Sequence, residues 1–279
     1  MKTNSFAFQG VNGAYSEQAG KNVFPDAKSL PCSTFEEMFA CVRDDKAEIA
    51  LVPIENSQAG RVADTQRLIP DSDLNIIGEY FLEVRHNLLA VPGTNINDIK
   101  RVHSHEQGIA QCRNKIIKLN KQMVIAADTA GSAKKISELN NKEDAAIASS
   151  LAAEIYNLDV LEANFQDAEH NVTRFLIMSK DKSDIEPSES NIITTLVFVV
   201  RSIPASLYKC LGGFASNGVN ITKLESYIHP QGFDVAQFYI DFEGHPKNNS
   251  VKLALEEMKF FCKEIKILGV YKKSNFRKK

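Results

Sequence analysis

The sequence predicts an α/β fold: two lobes of alternating strand and helix, then a smaller unit that joins its strands and helices in another order. Three observations carry this reading. Short apolar runs alternate with helix-spaced segments through the first half of the chain. The alternation breaks at 76–91, where the strand-like stretches 76–84 and 87–91 follow one another, and then resumes, as a crossover into a second lobe requires. After the polar, Pro- and Ser-bearing linker 181–190 the order becomes strand, helix, strand, strand, helix, strand, the split βαβ arrangement (βαββαβ) called ferredoxin-like.

Phe6-Ala7-Phe8 is the first strand, and Gly10-Val11-Asn12-Gly13 turns it into a helix over 15–24 that Ser16 is placed to cap. A glycine turn at a helix start offers backbone N–H groups to an anion, although Gly10-x-x-Gly13 reads more simply as a plain strand–helix turn. Ser33 or Thr34 caps a helix running to about Arg43, with Glu36 and Glu37 in its first turn. Ile49-Ala50-Leu51-Val52 is a buried strand ended by Pro53. The polar loop Glu55-Asn56-Ser57 follows it and precedes a helix over 62–69. Open α/β sheets bind ligands at that end of a strand, which favours a site there over a solvated loop.

In the second lobe, strand 101–105 leads into a helix over 107–119, strand 123–126 into one over about 133–139, and strand 144–148 into one over 151–156. His105 is a cap or surface residue, the commoner case at a helix start, or else a ligand or base. The last unit reads as strand 193–200, helix 205–217, strand 221–229, strand 233–243, helix 251–260 and strand 265–271. Pro204 sits near the start of its first helix, Gly218 marks the exit, and Pro230-Gln231-Gly232 closes the hairpin.

Charge and cysteine usage exclude several classes. Lys and Arg number 33 against 35 Asp and Glu, a net charge of −2, which leaves no footprint for nucleic acid or an anionic membrane. The basic end, Lys272-Lys273 and Arg277-Lys278-Lys279, is short and reads as a frayed tail. No apolar run nears the roughly 20 residues of a membrane helix, and the first residues lack a signal-peptide core. The cysteines, Cys32, Cys41, Cys112, Cys210 and Cys262, are scattered without metal-ligand spacing. Reduced thiols, a cytoplasmic location and no metal are therefore expected.

The stretch that points to chemistry is Asn171-Val172-Thr173-Arg174-Phe175, at the mouth of the apolar run Phe175-Leu176-Ile177-Met178. In an extended chain Asn171, Thr173 and Phe175 share one face, with Val172 and Arg174 on the other. A ligand site and a capped turn are both open on composition alone.

Taken together, these segments resemble the prephenate dehydratase family over nearly the whole chain. Phe8 to Ser16 resembles the family's opening Gly-Pro-x-Gly-Thr-Tyr/Phe-Ser, with Asn12 and Ala14 replacing commoner residues. Val52-Pro53-Ile54-Glu55-Asn56-Ser57, with Gly60, Val62 and Thr65, matches its Val-Pro-Ile-Glu-Asn-Ser motif. Ser104-His105-Glu106-Gln107 and Ala110-Gln111-Cys112 match Ser-His-Pro-Gln…Gln, with Glu106 for Pro. Thr129-Ala130 and Ser132-Ala133 match Thr-Ala-x-x-Ala, and Asn171 to Phe175 contains the Thr-Arg-Phe signature. The C-terminal unit resembles an ACT domain.

The resemblance implies a bilobed, periplasmic-binding-protein-like catalytic domain over 1–180, with one lobe at about 1–80 and 160–180 and the other at about 81–159. An ACT regulatory domain would span 191–273. It implies conversion of prephenate to phenylpyruvate in phenylalanine synthesis, by loss of water and carbon dioxide, with no cofactor. Thr173 would donate a hydrogen bond to the departing hydroxyl. Asn56, Ser104, Gln111 and Thr129 would supply neutral hydrogen bonds, beside Ser16, Ser57, Asn171 and Phe175. Glu55 is either a protonated general acid or the residue that orients Asn56. Arg174 would grip the keto-acid carboxylate or pair with an acid behind the site.

In the ACT-like unit Ala205-Ser206-Leu207 stands at the family's Gly-Ala-Leu. Asn217-Gly218-Val219-Asn220 keeps a turn able to close over an amino acid. Glu225-Ser226 keeps half of the family's Glu-Ser-Arg-Pro. L-phenylalanine is thereby implied as an allosteric ligand, and a homodimer or homotetramer as the assembly. Two other readings stay open: an arogenate dehydratase, and a two-lobed amino-acid sensor without catalysis.

Overall fold

The computed structural model describes residues 2–229 and 232–278. By internal contacts the chain forms two compact units, Met1–Gln66 with Tyr80–Phe175, and Arg67–Glu79 with Leu176–Lys279. The second unit thus takes in more than the 191–273 expected for a regulatory domain.

The first unit contains two strand systems. In one, β1 (Ser5–Gln9), α1 (Tyr15–Val23), β2 (Lys28–Cys32), α2 (Phe35–Arg43) and β3 (Ile49–Asn56) follow in order, and β1 pairs in parallel with both β2 and β3. Parallel neighbours need crossover helices, and α1 packs so closely that a Cβ on Gly20 would lie 2.2 Å from the Phe6 ring. The two-residue β4 (Gly60–Arg61) folds back on β3, then come α3 (Ala63–Leu68) and β5 (Asn75–Glu83).

The other system runs β6 (Asn87–Ala90), β7 (Arg101–His105), α4 (Glu106–Gln111), α5 (Arg113–Lys118), β8 (Gln122–Ala126), α6 (Thr129–Leu139), β9 (Asp144–Ala148), α7 (Ser150–Ile155) and β10 (Asp159–Glu162). Its sheet order is β10-β6-β9-β7-β8. Leu88, Ala90, Val102 and Ile147 pack on one face, Leu89, Val91, Ala146 and Ala148 on the other. Cover on both faces explains why β9 is apolar in nearly every position rather than alternating. The chain then enters β11 (Val172–Ser179).

In the second unit, β12 (Ile192–Val200), α8 (Ser206–Ser216), β13 (Ile221–His229), β14 (Gly232–Glu243), α9 (Asn249–Phe261) and β15 (Cys262–Lys272) form an antiparallel sheet of order β13-β14-β12-β15. Both helices share a core with one face of the sheet, built on Phe198, Phe214, Phe242 and Met258. This is the expected βαββαβ order.

Several local expectations need correction. Ser16 does not cap α1: Ala14 occupies that position with no side-chain bond, and Glu17 reaches back to the Gly13 N–H at 2.6 Å. The helix expected over 107–119 breaks at Cys112 into α4 and α5. β10 was hidden in a short mixed stretch. The tail is not frayed as far as Arg277, whose guanidinium holds the buried Glu79 carboxylate at 2.8 and 2.9 Å. Pro230 and Gln231 of the expected turn lie outside the described residues. All five cysteines are free and buried, and two pairs touch, Cys32–Cys41 at 3.6 Å and Cys210–Cys262 at 3.4 Å. Among the described residues no helix is long and apolar enough to cross a membrane.

Candidate active site

Strand ends and helix starts of the first unit converge on a cavity of about 250 Å³. The end of β1 and the turn after it supply Gln9 and Gly10, and the start of α1 supplies Ala14, Tyr15 and Ser16. β3 contributes Pro53 and Asn56. His105, Gln107, Gly108 and Gln111 come from the β7–α4 junction, and Asp128 and Thr129 from the start of α6. The chain around β11 adds Asn171, Thr173 and Phe175. Such a volume suits a small molecule, not a polymer. Among the described lining residues there is no Lys or Arg, and Asp128 is the one carboxylate. Electropositive character must come from neutral donors and from the N-terminal ends of α1 and α6.

The Gly10–Gly13 turn is tied rather than open. Gly13 N–H is taken by Glu17, Gly13 O accepts from Ser149 Oγ at 2.6 Å, and Asn12 O accepts from Tyr156 OH at 2.7 Å. The plain-turn reading therefore describes Gly13 better than an anion cradle. At the two other helix starts, His105 Nδ1 accepts from Gln107 N at 3.2 Å and Asp128 from Gly131 N, both ordinary caps.

A continuous polar chain lines one wall. Asn56 Oδ1 accepts from Gln58 N at 2.9 Å and Ala59 N at 2.8 Å, which fixes its amide the right way round. Asn56 Nδ2 then donates to Asn171 Oδ1 at 2.7 Å and to Thr173 Oγ1 at 2.9 Å. Asn171 Nδ2 donates to Gln111 Oε1 at 2.7 Å, and His86 Nε2 reaches the same oxygen at 2.7 Å. Tyr15 OH lies 2.7 Å from His86 Nδ1. An amide oxygen only accepts, so His86 carries its proton on Nε2 and Tyr15 donates to Nδ1. His86 is 2% exposed, and burial pushes its pKa below the usual histidine value, which keeps the ring neutral. Thr173 accepts from Asn56, and its own proton has no acceptor among the described residues.

The alternation along β11 is as the sequence implies: Asn171, Thr173 and Phe175 line the cavity, while Val172 and Arg174 do not. Ser16, Asn56, Gln111 and Thr129 are lining residues as well. Four expected site residues are not. Arg174, 2% exposed, turns away and pairs with Glu55 at 3.1 Å, so the acid-behind-the-site alternative is the observed geometry. Glu55 is engaged there and does not line the cavity. Ser104 is fully buried and donates to Ile147 O at 2.8 Å, tying β7 to β9. Ser57 Oγ accepts from Val172 N at 2.9 Å, and Ser57 N donates to Val172 O, so it pins β11 to the loop that carries Asn56.

In the second unit Ala205, Ser206 and Leu207 sit at the start of α8, and Asn217, Gly218, Val219 and Asn220 at its exit. Glu225 and Ser226 lie on β13. Eleven helical residues span roughly 16 Å, so one chain keeps the two ends apart. Ala205 adopts φ 58°, the left-handed conformation glycine favours.

Sequence reading missed His86, Tyr15, Gln107 and Asp128 as lining groups. His86 carried a signal: Arg85-His86-Asn87 is a polar triplet set between two apolar strands.

The prephenate dehydratase family model matches residues 6–183. A relative from Komagataeibacter europaeus, described as a bifunctional N-acyl-homoserine lactone acylase/prephenate dehydratase, is 45% identical over 273 residues, 98% of this chain and 97% of that one. The chloroplastic arogenate dehydratase/prephenate dehydratase 2 of Arabidopsis thaliana is 38% identical over 276 residues, covering 95% and 72%. A crystal structure of prephenate dehydratase in complex with L-Phe from Arthrobacter aurescens matches with a TM-score of 0.85 at 31% identity, covering 96% of this chain and 90% of that one.

Proposed function

Because the chain belongs to the prephenate dehydratase family, we propose that the cavity binds prephenate and drives its decarboxylative dehydration to phenylpyruvate. As the ring carboxylate leaves as carbon dioxide, its bond pair enters the ring, and the ring expels its hydroxyl. Aromatisation drives the reaction, and the site need only hold the dianion and ease the hydroxyl away. Thr173 meets the hydroxyl. It donates a hydrogen bond as charge develops on the leaving oxygen, and solvent supplies the net proton. Ser16, Gln111 and Thr129 grip the keto-acid carboxylate, while Asn56 and Asn171 hold Thr173 and Gln111 in place. Glu55, Arg174, Ser57 and Ser104 act from behind by fixing β3, β7 and β11. The observation that carries this reading is the Asn56–Thr173 bond, which uses one of the hydroxyl's lone pairs and leaves its proton for the cavity. An ultraviolet assay for phenylpyruvate from prephenate tests it; an inactive pure protein would sink it.

Arogenate is the second reading, favoured by Asp128, whose carboxylate would pair with an ammonium but repel a dianion. The same assay run with arogenate ranks the two. The acylase activity named for the Komagataeibacter relative is not carried over.

For regulation, the Arthrobacter structure in complex with L-Phe supports phenylalanine as a ligand, and we assign it to the ACT-like unit. The two ends of α8 come together only if one copy offers Ala205–Leu207 and another its 217–220 turn, so the proposed assembly is a homodimer or a pair of dimers in the cytoplasm.

A further inference from the structure

A dianion held without a cation needs every wall dipole aimed the same way, and the orientation of the Gln111 amide decides much of that. Gln111 Oε1 is taken twice, by Asn171 Nδ2 and by His86 Nε2, both at 2.7 Å. Gln111 lines the cavity, and its amide nitrogen has no acceptor among the described residues. With the oxygen turned inward, both amide hydrogens are left for the ligand. We propose that His86 is a positioning residue which, by donating from Nε2, turns Gln111 so that its NH2 faces the substrate carboxylate.

The alternative tautomer is incompatible with the rest of the wall. If Nε2 were the acceptor, Gln111 would present its nitrogen to His86 and to Asn171 Nδ2. Asn171 would then have to rotate and set its own nitrogen against Asn56 Nδ2. Asn56 cannot follow, because Gln58 N and Ala59 N hold its oxygen. Tyr15 closes the other end by donating to Nδ1, with Arg85 O as a weaker second acceptor at 3.2 Å. His86 is further fixed by its backbone, whose N–H donates to Gln166 Oε1 at 2.9 Å and whose carbonyl accepts from Phe165 N at 2.6 Å. The ring is thus rigid, neutral and of one polarity, as a group must be to hold a second residue in one of two near-isosteric orientations.

The inference rests on the dehydratase reading, and the wild-type assay tests that reading separately. The test compares His86→Gln and His86→Asn on prephenate. A glutamine amide reaches the place of Nε2 and keeps a donor for Gln111, whereas asparagine reaches only the place of Nδ1. His86→Asn is expected to raise KM roughly tenfold, the scale of one hydrogen bond to a charged group, with kcat within about threefold. His86→Gln is expected to recover most of that loss. A role in packing alone predicts that KM rises while kcat falls by a similar factor, with asparagine and glutamine ranked by melting temperature, and that result overturns the proposal. Gln111→Glu gives the decision if His86→Asn does not fold. It keeps both acceptor contacts but replaces the NH2 by an oxygen, so KM rises sharply with melting behaviour retained; an unchanged KM refutes the assignment.

Discussion

In the proposed reaction Thr173 can serve as a donor because Asn56 donates to its oxygen and leaves its proton unspent. Removing the hydroxyl in Thr173→Ala is expected to lower kcat by about 10²–10³, the cost of one transition-state donor, with KM close to wild type. Thr173→Ser keeps the donor and should keep most of the rate; equal turnover in the alanine variant rejects the role. Ala205 makes a different residue-scale case. A left-handed backbone costs an alanine about 1–2 kcal/mol, while glycine loses about 0.5–1 kcal/mol of chain entropy on ordering. Strain outweighs entropy at φ 58°, so Ala205→Gly should stabilise the second unit by up to about 1 kcal/mol in denaturant melts.

At the scale of elements, the placement of α4 against β7 sets where Gln107 and Gln111 stand. A Cβ on Gly108 would lie 2.6 Å from Ser104 Oγ, too near for either to stay. Gly108→Ala is therefore expected to move α4, raising KM and lowering the melting temperature. Its nearest remaining neighbour, Ser104 Cβ, would be 3.4 Å away, an ordinary contact. Adding Ser104→Ala should thus recover part of both effects despite the lost bond to Ile147 O. Additive losses in that double-mutant cycle would show that the contact does not set the helix position. Ser104 matters here as a spacer and tie between strands, which its hydroxyl chemistry alone did not suggest. β11 shows the opposite: its period of two announces which residues line the cavity, and Arg174, on the other face, pairs with Glu55.

For the molecule as a whole, acid should weaken the fold in two stages. Burial lowers the His86 pKa, so the unfolded chain takes up that proton first. Stability then falls as pH drops below about 6.5 and keeps falling until the folded-state value is reached. The Arg101 hydrogen bond, with burial opposing it, holds Asp144 at about 2. Its contribution is complete above the unfolded value of about 3.9 and is lost as pH falls through the folded one. Urea midpoints across this range should show both stages; His245, which burial also pushes down, adds to the upper one and Glu243, held down by Lys273, to the lower, so Asp144→Asn should shrink the lower stage and leave the upper one. Phenylalanine binding is the second whole-molecule expectation: calorimetry should detect it, and it should shift the sedimentation of the protein. No heat at millimolar ligand would remove the regulatory reading.

Composition and period alone determined the fold class, the strand–helix alternation, the βαββαβ order at the end and which residues of β11 share a face. These follow from local burial patterns, which repeat at two or 3.6 residues and need no distant partner to be read. Tertiary structure alone decided which polar groups turn inward. Arg174 and Glu55 neutralise each other behind the strand, and Ser104 bonds a neighbouring carbonyl. His86, 25 residues from Gln111 and 71 from Tyr15, becomes the link between them. Hydrogen-bond direction is set by whichever group the fold brings opposite, and a linear chain does not contain that information.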